Sequence, residues 1–220
     1  MDNRSIEIVK LESLKDKDSP YVRPYRFHYI QEGKKKTWDY VQSHDCVAIL
    51  LYNIDRNKLI FVRQFRPPVY LSTLLNQTNA SVENIGEKSK DLSPNCGFTI
   101  ELCAGLIDKN GLSVQEIACE EIFEETGYRV PLDSLKSITT FRTGVGTSGQ
   151  VQHLFYCPVS DSMRVSDGGG IDDESIEVIE MSVEEAQKLI YANDVVDGVG
   201  RPVGLRLAIN WFINDRPSNF

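Results

Sequence analysis

The chain has 220 residues, 41% of them hydrophobic, which is enough to bury a sizeable core in one large domain or in a main domain with a small accessory one, and excludes disordered and fibrous classes. A formal charge of −8 and a pI near 5.0, with acidic residues spread along the chain, argue against a nucleic-acid backbone or an anionic membrane as the main partner. Five cysteines with no CxxC pair, no signal-like apolar run at the N-terminus and no stretch of eighteen consecutive apolar residues lead to the expectation of a reduced, cytoplasmic protein without a membrane span.

In chain order, residues 25–30 and 37–44 alternate apolar and polar positions around a QEGKKK turn, and predict a small sheet that must pack on something larger, a second subunit included. CVAILLYN (46–53) reads as an interior strand and LIFVRQF (59–65) as its neighbour, ended by Pro67 and Pro68. Residues 71–98 are rich in Ser, Asn and Lys without a sustained period and are expected to form a long loop. FTIELCAG (98–105) resumes as a strand.

Ser113 and Glu116 form a capping-box pattern and Gly127 takes the C′ position, which predicts a helix over 113–126. HLFYCPV (153–159) is a further strand, and MRVSDGGGIDDES (163–175) is a glycine-rich acidic loop leading into the strand IEVIEM. Ser182 and Glu185 repeat the capping box, and 203–214 is a final helix. Mixed strands and helices with short connections imply a layered α/β or α+β body.

The helix over 113–126 contains CEEIFEET. Glu121 and Glu125 lie one turn apart on the stripe that carries Val114 and Ala118, so two like charges share a face with residues that expect burial. Glu124 and Glu125 also stand at the helix C-terminus, against its dipole. A hard divalent cation would turn this unfavourable arrangement into a favourable one, because Mg²⁺ or Mn²⁺ seeks oxygen ligands in this spacing. A solvated acidic flank is the alternative, of equal weight for Glu116, Glu120 and Glu124 taken singly. Ahead of the helix, Gly105 permits a close turn in which the Ala104 carbonyl faces the same ion; alone, it reads as a strand-ending turn.

Taken together, AGLIDKNGLSVQEIACEEIFEETGY (104–128) resembles the signature of the Nudix hydrolases. Glu121, Glu124, Glu125 and Gly127 fall on its defining positions, and Ser113 fits the helix start. There are two departures. Glu120 stands where arginine is usual, and Leu112 replaces the loop glutamate, with one extra residue near Asn110. The arginine would orient the carboxylates, so their placement must be supported differently, or activity is reduced. WDYVQSHDCVAILLYN, LIFVRQFRPPVY, IELCAGLID and DDESIEVIEMSVEEA extend the resemblance to the nucleoside-diphosphate-sugar branch over nearly the whole chain, outside the first dozen residues and 71–98.

That resemblance implies a Nudix α/β/α sandwich with a mixed central sheet over 45–220, preceded by an N-terminal β domain over 1–44 that contacts the partner of a homodimer and the substrate. It implies Mg²⁺- or Mn²⁺-dependent hydrolysis of the pyrophosphate bond of UDP-glucose to UMP and glucose 1-phosphate. ADP-ribose or another nucleoside diphosphate sugar is the alternative substrate, and a catalytically silent binding protein of the same fold is the alternative function.

Glu121 and Glu125 are then expected metal ligands, with Glu124 an adjacent ligand or orienter and Ala104 a further contact. Glu174 matches a metal-contacting or basic glutamate and Asp172 the acid two residues before it; an ordinary solvated loop is the other reading of both. Arg66 is the candidate for the substrate phosphates, since a guanidinium fork fits two phosphoryl oxygens, with Arg63 as its alternative and a salt bridge as the plainer role of either. Glu101 resembles a substrate- or metal-proximal acid. Trp38 either stacks on the base or makes a core or dimer contact, and Thr147 and Ser148 hold a family position near substrate. GVGTSGQ lacks the ending of a phosphate loop.

Overall fold

The structure is a computed structural model that describes residues 6–12, 14, 19 and 21–217. The N-terminal hairpin pairs β1 (Arg23–Gln31) with β2 (Lys34–Gln42) from Arg23↔Gln42 to Gln31↔Lys34. Glu32 and Gly33 make its two-residue turn with φ of 53° and 73°, the positive pair that matches the twist of a tight hairpin. Almost every side chain of the hairpin is exposed. It is tethered to the body where Val41 N–H donates to the Thr147 carbonyl at 2.9 Å and the Trp38 indole donates to the Gly146 carbonyl at 2.8 Å.

The body is built on a seven-stranded mixed sheet. Its centre is β3 (Cys46–Asn53), an apolar run buried on both faces, next to β4 (Lys58–Phe65). These two pair antiparallel only over Leu51–Asn53 and Lys58–Ile60 and then splay apart. The gap is filled by what the sequence presents as one strand and the structure breaks at Leu102: β5 (Phe98–Glu101) pairs with β4, and β6 (Cys103–Leu106) pairs with β3. Beyond them β8 (Val151–Val159) runs parallel to β3 and β7 (Lys136–Arg142) antiparallel to β8, and on the other side β9 (Ile176–Ser182) runs antiparallel to β4.

Helices cover both faces. On one, α3 (Val114–Thr126) packs Ile117, Ala118 and Ile122 onto Val47, Ile49, Ile60, Phe155 and Cys157. On the other, α4 (Val183–Leu189) and α6 (Val203–Asn214) bury Ala186, Leu205, Ala208, Ile209 and Phe212 against Ala48, Leu50, Phe61 and Tyr156. The period-2 alternation of the strands divides their side chains between these two cores, giving the expected α/β/α layering. A one-turn α5 (Asp194–Asp197) links α4 to α6.

The expected long loop is instead partly helical. Residues 67–97 hold α1 (Pro67–Gln77) and the short α2 (Ile85–Lys88), which bury Tyr70, Leu74 and Ile85 in a small core of their own with Ile8 and Leu11. The prolines that end β4 also start α1, at the first helical positions where a missing N–H costs nothing. Strand β7 was not anticipated; its alternating, largely exposed edge gives a weak apolar signal.

Candidate active site

The carboxylates gather where α3 lies over β6 and β3. Both capping-box bonds form at the start of α3, and Gly127 ends it in the left-handed region at φ 77°. The helix therefore stands in a fixed register over the sheet. Gly105, opposite Val47 on the α3 face of β6, leaves room for Glu121: a Cβ at 105 would lie 2.0 Å from the Glu121 carboxyl carbon. Glu125, only 4% exposed, reaches the next strand position. Its Oε2 accepts the Ala104 amide at 3.0 Å, so Ala104 offers Glu125 its N–H, where the sequence suggested only a carbonyl facing an ion.

Burial is the main reason both groups resist ionisation. Glu125 is pushed up to about 8, with the neighbouring charges of Glu121 and Glu174 adding to desolvation and the Ala104 amide opposing it. Glu121 is pushed up to about 7 by burial and then by Glu124, with Lys109 working the other way. Beneath them the fully buried Cys103 thiol is driven well above its ordinary value, first by burial and then by Glu125.

Glu120, set where the family pattern has arginine, pairs with a lysine that the sequence did not single out. Lys109 Nζ lies 2.7 Å from Glu120 Oε2 and 3.5 Å from Glu124 Oε1. A signal for it was present: surplus carboxylates at 120 and 124 need a cation within reach.

The loop over 166–176 is docked on the end of α3. Gly169 N–H donates to the Glu125 carbonyl at 2.9 Å and Gly170 N–H to the Glu124 carbonyl at 3.0 Å, taking up orphan acceptors of the helix terminus. Gly168, at φ 69°, approaches so closely that a Cβ would meet the Glu125 carbonyl oxygen at 2.4 Å. These glycines therefore serve close packing of the loop on α3. Glu174 folds back in this loop, accepting the Ile171 amide at 3.1 Å, and its charge bears on Glu121, Glu125 and Arg66. Asp172 is exposed at a left-handed turn position, φ 51°, and is not among the charges that shift those three groups.

Arg66 and Glu101 form the other wall. Glu101, opposite Val62 and so on the α3 face, is 9% exposed and takes the Arg66 fork with both oxygens, at 2.8 and 2.7 Å, while Thr99 donates to Oε1. The Arg66 guanidinium is raised first by this bond, against desolvation, and further by Glu125 and Glu174, which places it beside the carboxylates. Arg63 does not join them. Its register partners Ile100 and Glu177 share the opposite face, where it donates to Glu177 at 2.9 Å and stacks over Phe98 at 4.1 Å. The alternation of β4 turns Arg63 away from the site, and Arg66, three extended residues on and just past the strand end, falls on the site's face.

Trp38, Thr147 and Ser148 belong to a separate hollow of about 510 Å³, shared with Tyr40, Asp45 and Arg142. It opens at the start of β3, where Asp45 accepts the Val151 amide at 2.8 Å and its carbonyl accepts the Ile107 amide at 2.8 Å at the end of β6. Thr147 and Ser148 spend their amides on the Gly144 carbonyl. None of the residues lining this hollow belongs to the carboxylate group.

The donor set is all oxygen and fits a hard cation: Glu121, Glu125 and Glu124, with Glu174 nearby. Among the described residues no three His, Cys, Asp or Glu side chains already close around one point.

No family model matches the chain. Among curated proteins it is 37% identical over 203 residues to the uridine diphosphate glucose pyrophosphatase of Mus musculus, covering 89% of this chain and 90% of that protein. It is 39% identical over 203 residues to the protein of the same description from Bos taurus, with the same coverage. With the GDP-mannose pyrophosphatase of Cronobacter sakazakii it shares 34% identity over 150 residues, 68% of this chain and 66% of that protein.

Proposed function

The chain belongs to the Nudix hydrolases of nucleoside diphosphate sugars, and we propose that it cleaves the pyrophosphate bond of UDP-glucose with water, giving UMP and glucose 1-phosphate. The observation that carries the reading is the pair of desolvated carboxylates, Glu121 and Glu125, held over Gly105 and the Ala104 amide beside Arg66. A buried glutamate with a half-buried one beside it, both resisting ionisation, makes poor sense structurally and good sense as a pair of ligands.

Glu121 and Glu125, with Glu124 beside them, would hold Mg²⁺ or Mn²⁺. When bound, such an ion screens the diphosphate, polarises its oxygens and lowers the pKa of a coordinated water. The remaining work falls to the chain. Arg66, pre-oriented by Glu101, turns its free N–H groups toward the phosphates. Glu174, kept near Glu121 and Glu125 by the docked loop, is our choice of group to take a proton from attacking water, ahead of Asp172. The hollow under Trp38 offers an aromatic face for the base.

The exposed aromatic side of the hairpin, with Tyr25, Phe27, Trp38 and Tyr40 all more than a third exposed, supports a homodimer in which the hairpin meets a second copy. All five cysteines are free, and among the described residues no helix is long and apolar enough to cross a membrane, in keeping with a cytoplasmic enzyme.

The test is a comparison of Mg²⁺-dependent rates on UDP-glucose, GDP-mannose and ADP-ribose. A preference for UDP-glucose with release of UMP supports the proposal. Faster turnover of either competitor reassigns the substrate, and tight binding without phosphate-monoester release identifies a silent binding protein.

A further inference from the structure

Four of the five glutamates of α3 form two rows, Glu121 with Glu125 toward the sheet and Glu120 with Glu124 beside it, while Glu116, one turn before Glu120, is taken up by the capping box. Four carboxylates in two turns repel one another, and in this setting each outward excursion of Glu124 is also a loss to the inner row. The inner row is fixed by Gly105 and the Ala104 amide. For the outer row the sheet supplies nothing comparable; its partner comes from the loop between β6 and α3.

Resting on the functional reading above, we infer that Lys109 is a positioning residue that readies the carboxylates for the cation. Its ammonium spans Glu120 at 2.7 Å and Glu124 at 3.5 Å, so one charge ties the loop to two successive turns of the helix. The groups involved are half-buried: Lys109 is 36% exposed, Glu120 43% and Glu124 21%. Lys109 thereby holds Glu124 beside Glu121 and neutralises the row that does not face the sheet, leaving net negative charge where a cation would be bound. It acts through Glu124 and touches neither substrate nor the reacting atoms.

The experiment measures Mn²⁺ binding by titration calorimetry and, in parallel, kcat, KM for UDP-glucose and the Mg²⁺ half-saturation for the wild type, Lys109→Met, Lys109→Arg, Lys109→Glu and the exchange Lys109→Glu with Glu120→Lys. Circular dichroism checks that each is folded. Loss of an outer partner of a metal ligand typically weakens affinity about tenfold to a hundredfold. Lys109→Met should therefore weaken Mn²⁺ and raise the Mg²⁺ half-saturation by about tenfold, with KM for UDP-glucose little changed. Lys109→Arg should stay near wild type. Lys109→Glu should be the worst, and the exchange should recover most of its loss, because an ammonium moved onto the helix can still bridge the carboxylates at positions 109 and 124.

Unchanged Mn²⁺ affinity in Lys109→Met overturns the inference, as does an exchange variant no better than Lys109→Glu. A rise confined to KM for UDP-glucose also overturns it, and makes Lys109 a substrate contact. Wild-type Mn²⁺ uptake without turnover of any nucleotide sugar sinks the functional reading alone, whereas absence of uptake sinks both.

Discussion

The carboxylate of Glu121 occupies the space that a side chain at Gly105 would fill, with a Cβ at that position 2.0 Å from both the carboxyl carbon and Oε1. The glycine of the box is thus a steric requirement of the glutamate sixteen positions later. Gly105→Ala should fold, because the atoms in the way belong to the outer part of one side chain, yet swing Glu121 out of place. We expect kcat to fall about a hundredfold, as for loss of a positioned catalytic group, with Tm lowered only slightly. Steady-state kinetics and a thermal melt on the same preparation check this.

Without divalent cations the stability of the protein should fall as pH rises. The carboxyl of Glu125, ordinarily near 4.5, is raised to about 8 in the folded chain, so between these values the folded state holds a proton that the unfolded state has released. Its stabilising contribution is complete below the unfolded value and is lost as pH passes through the folded one. Glu121, raised to about 7, acts in the same sense. In chelator, Tm should drop by about 5 °C or more between pH 5 and pH 8.5, and saturating Mg²⁺ should remove most of that slope. Glu125→Gln should flatten the slope without metal while abolishing turnover.

Arg66 and Glu101 are bonded through both carboxylate oxygens, at 2.8 and 2.7 Å, so the orientation of the guanidinium depends on its partner. Arg66→Lys keeps the charge and loses the fork, and should raise KM for the nucleotide sugar about tenfold or more. Glu101→Gln should show a smaller rise in KM and, since Glu101 is buried with Thr99 bonded to it, a lower Tm. A KM unaltered in Arg66→Lys would remove Arg66 from the phosphate site.

Gly168→Ala tests the docking of the loop. A Cβ there would press on the Glu125 carbonyl at 2.4 Å from a backbone at φ 69°, a combination expected to cost about 1–3 kcal/mol. The loop should lift from α3 and carry Glu174 with it, lowering kcat about tenfold or more while leaving Mn²⁺ binding by Glu121 and Glu125 largely intact. Protease nicking near residue 170 should accelerate in parallel.

Much of this was legible in the sequence where the signal is local. Ser113, Glu116 and Gly127 announce α3 by chemistry that acts within one turn, and the fall of Glu121 and Glu125 on the stripe of Val114 and Ala118 foretells that they face the sheet, Glu125 buried and Glu121 half-buried. What stayed hidden depends on pairing between distant segments. The break at Leu102 exists because β3 and β4 splay, which no window of residues records. The opposite faces of Arg63 and Arg66, by contrast, follow from strand alternation across three residues. The docked glycines became visible only once α3 had neighbours, whereas the surplus carboxylates at 120 and 124 called for a cation without saying that it is Lys109. Helix α1 was within reach, since two prolines at a strand end also mark a helix start, but its polar tail obscured the period.

The segment from 67 to 97 leaves and rejoins the sheet at one point, where the Arg66 amide donates to the Gly97 carbonyl at 2.8 Å. It is an appendage closed at its root, with an apolar centre of its own. Lengthening, trimming or replacing it would leave the strands aligned and be felt first at the arginine on its threshold, well before the glutamates of α3.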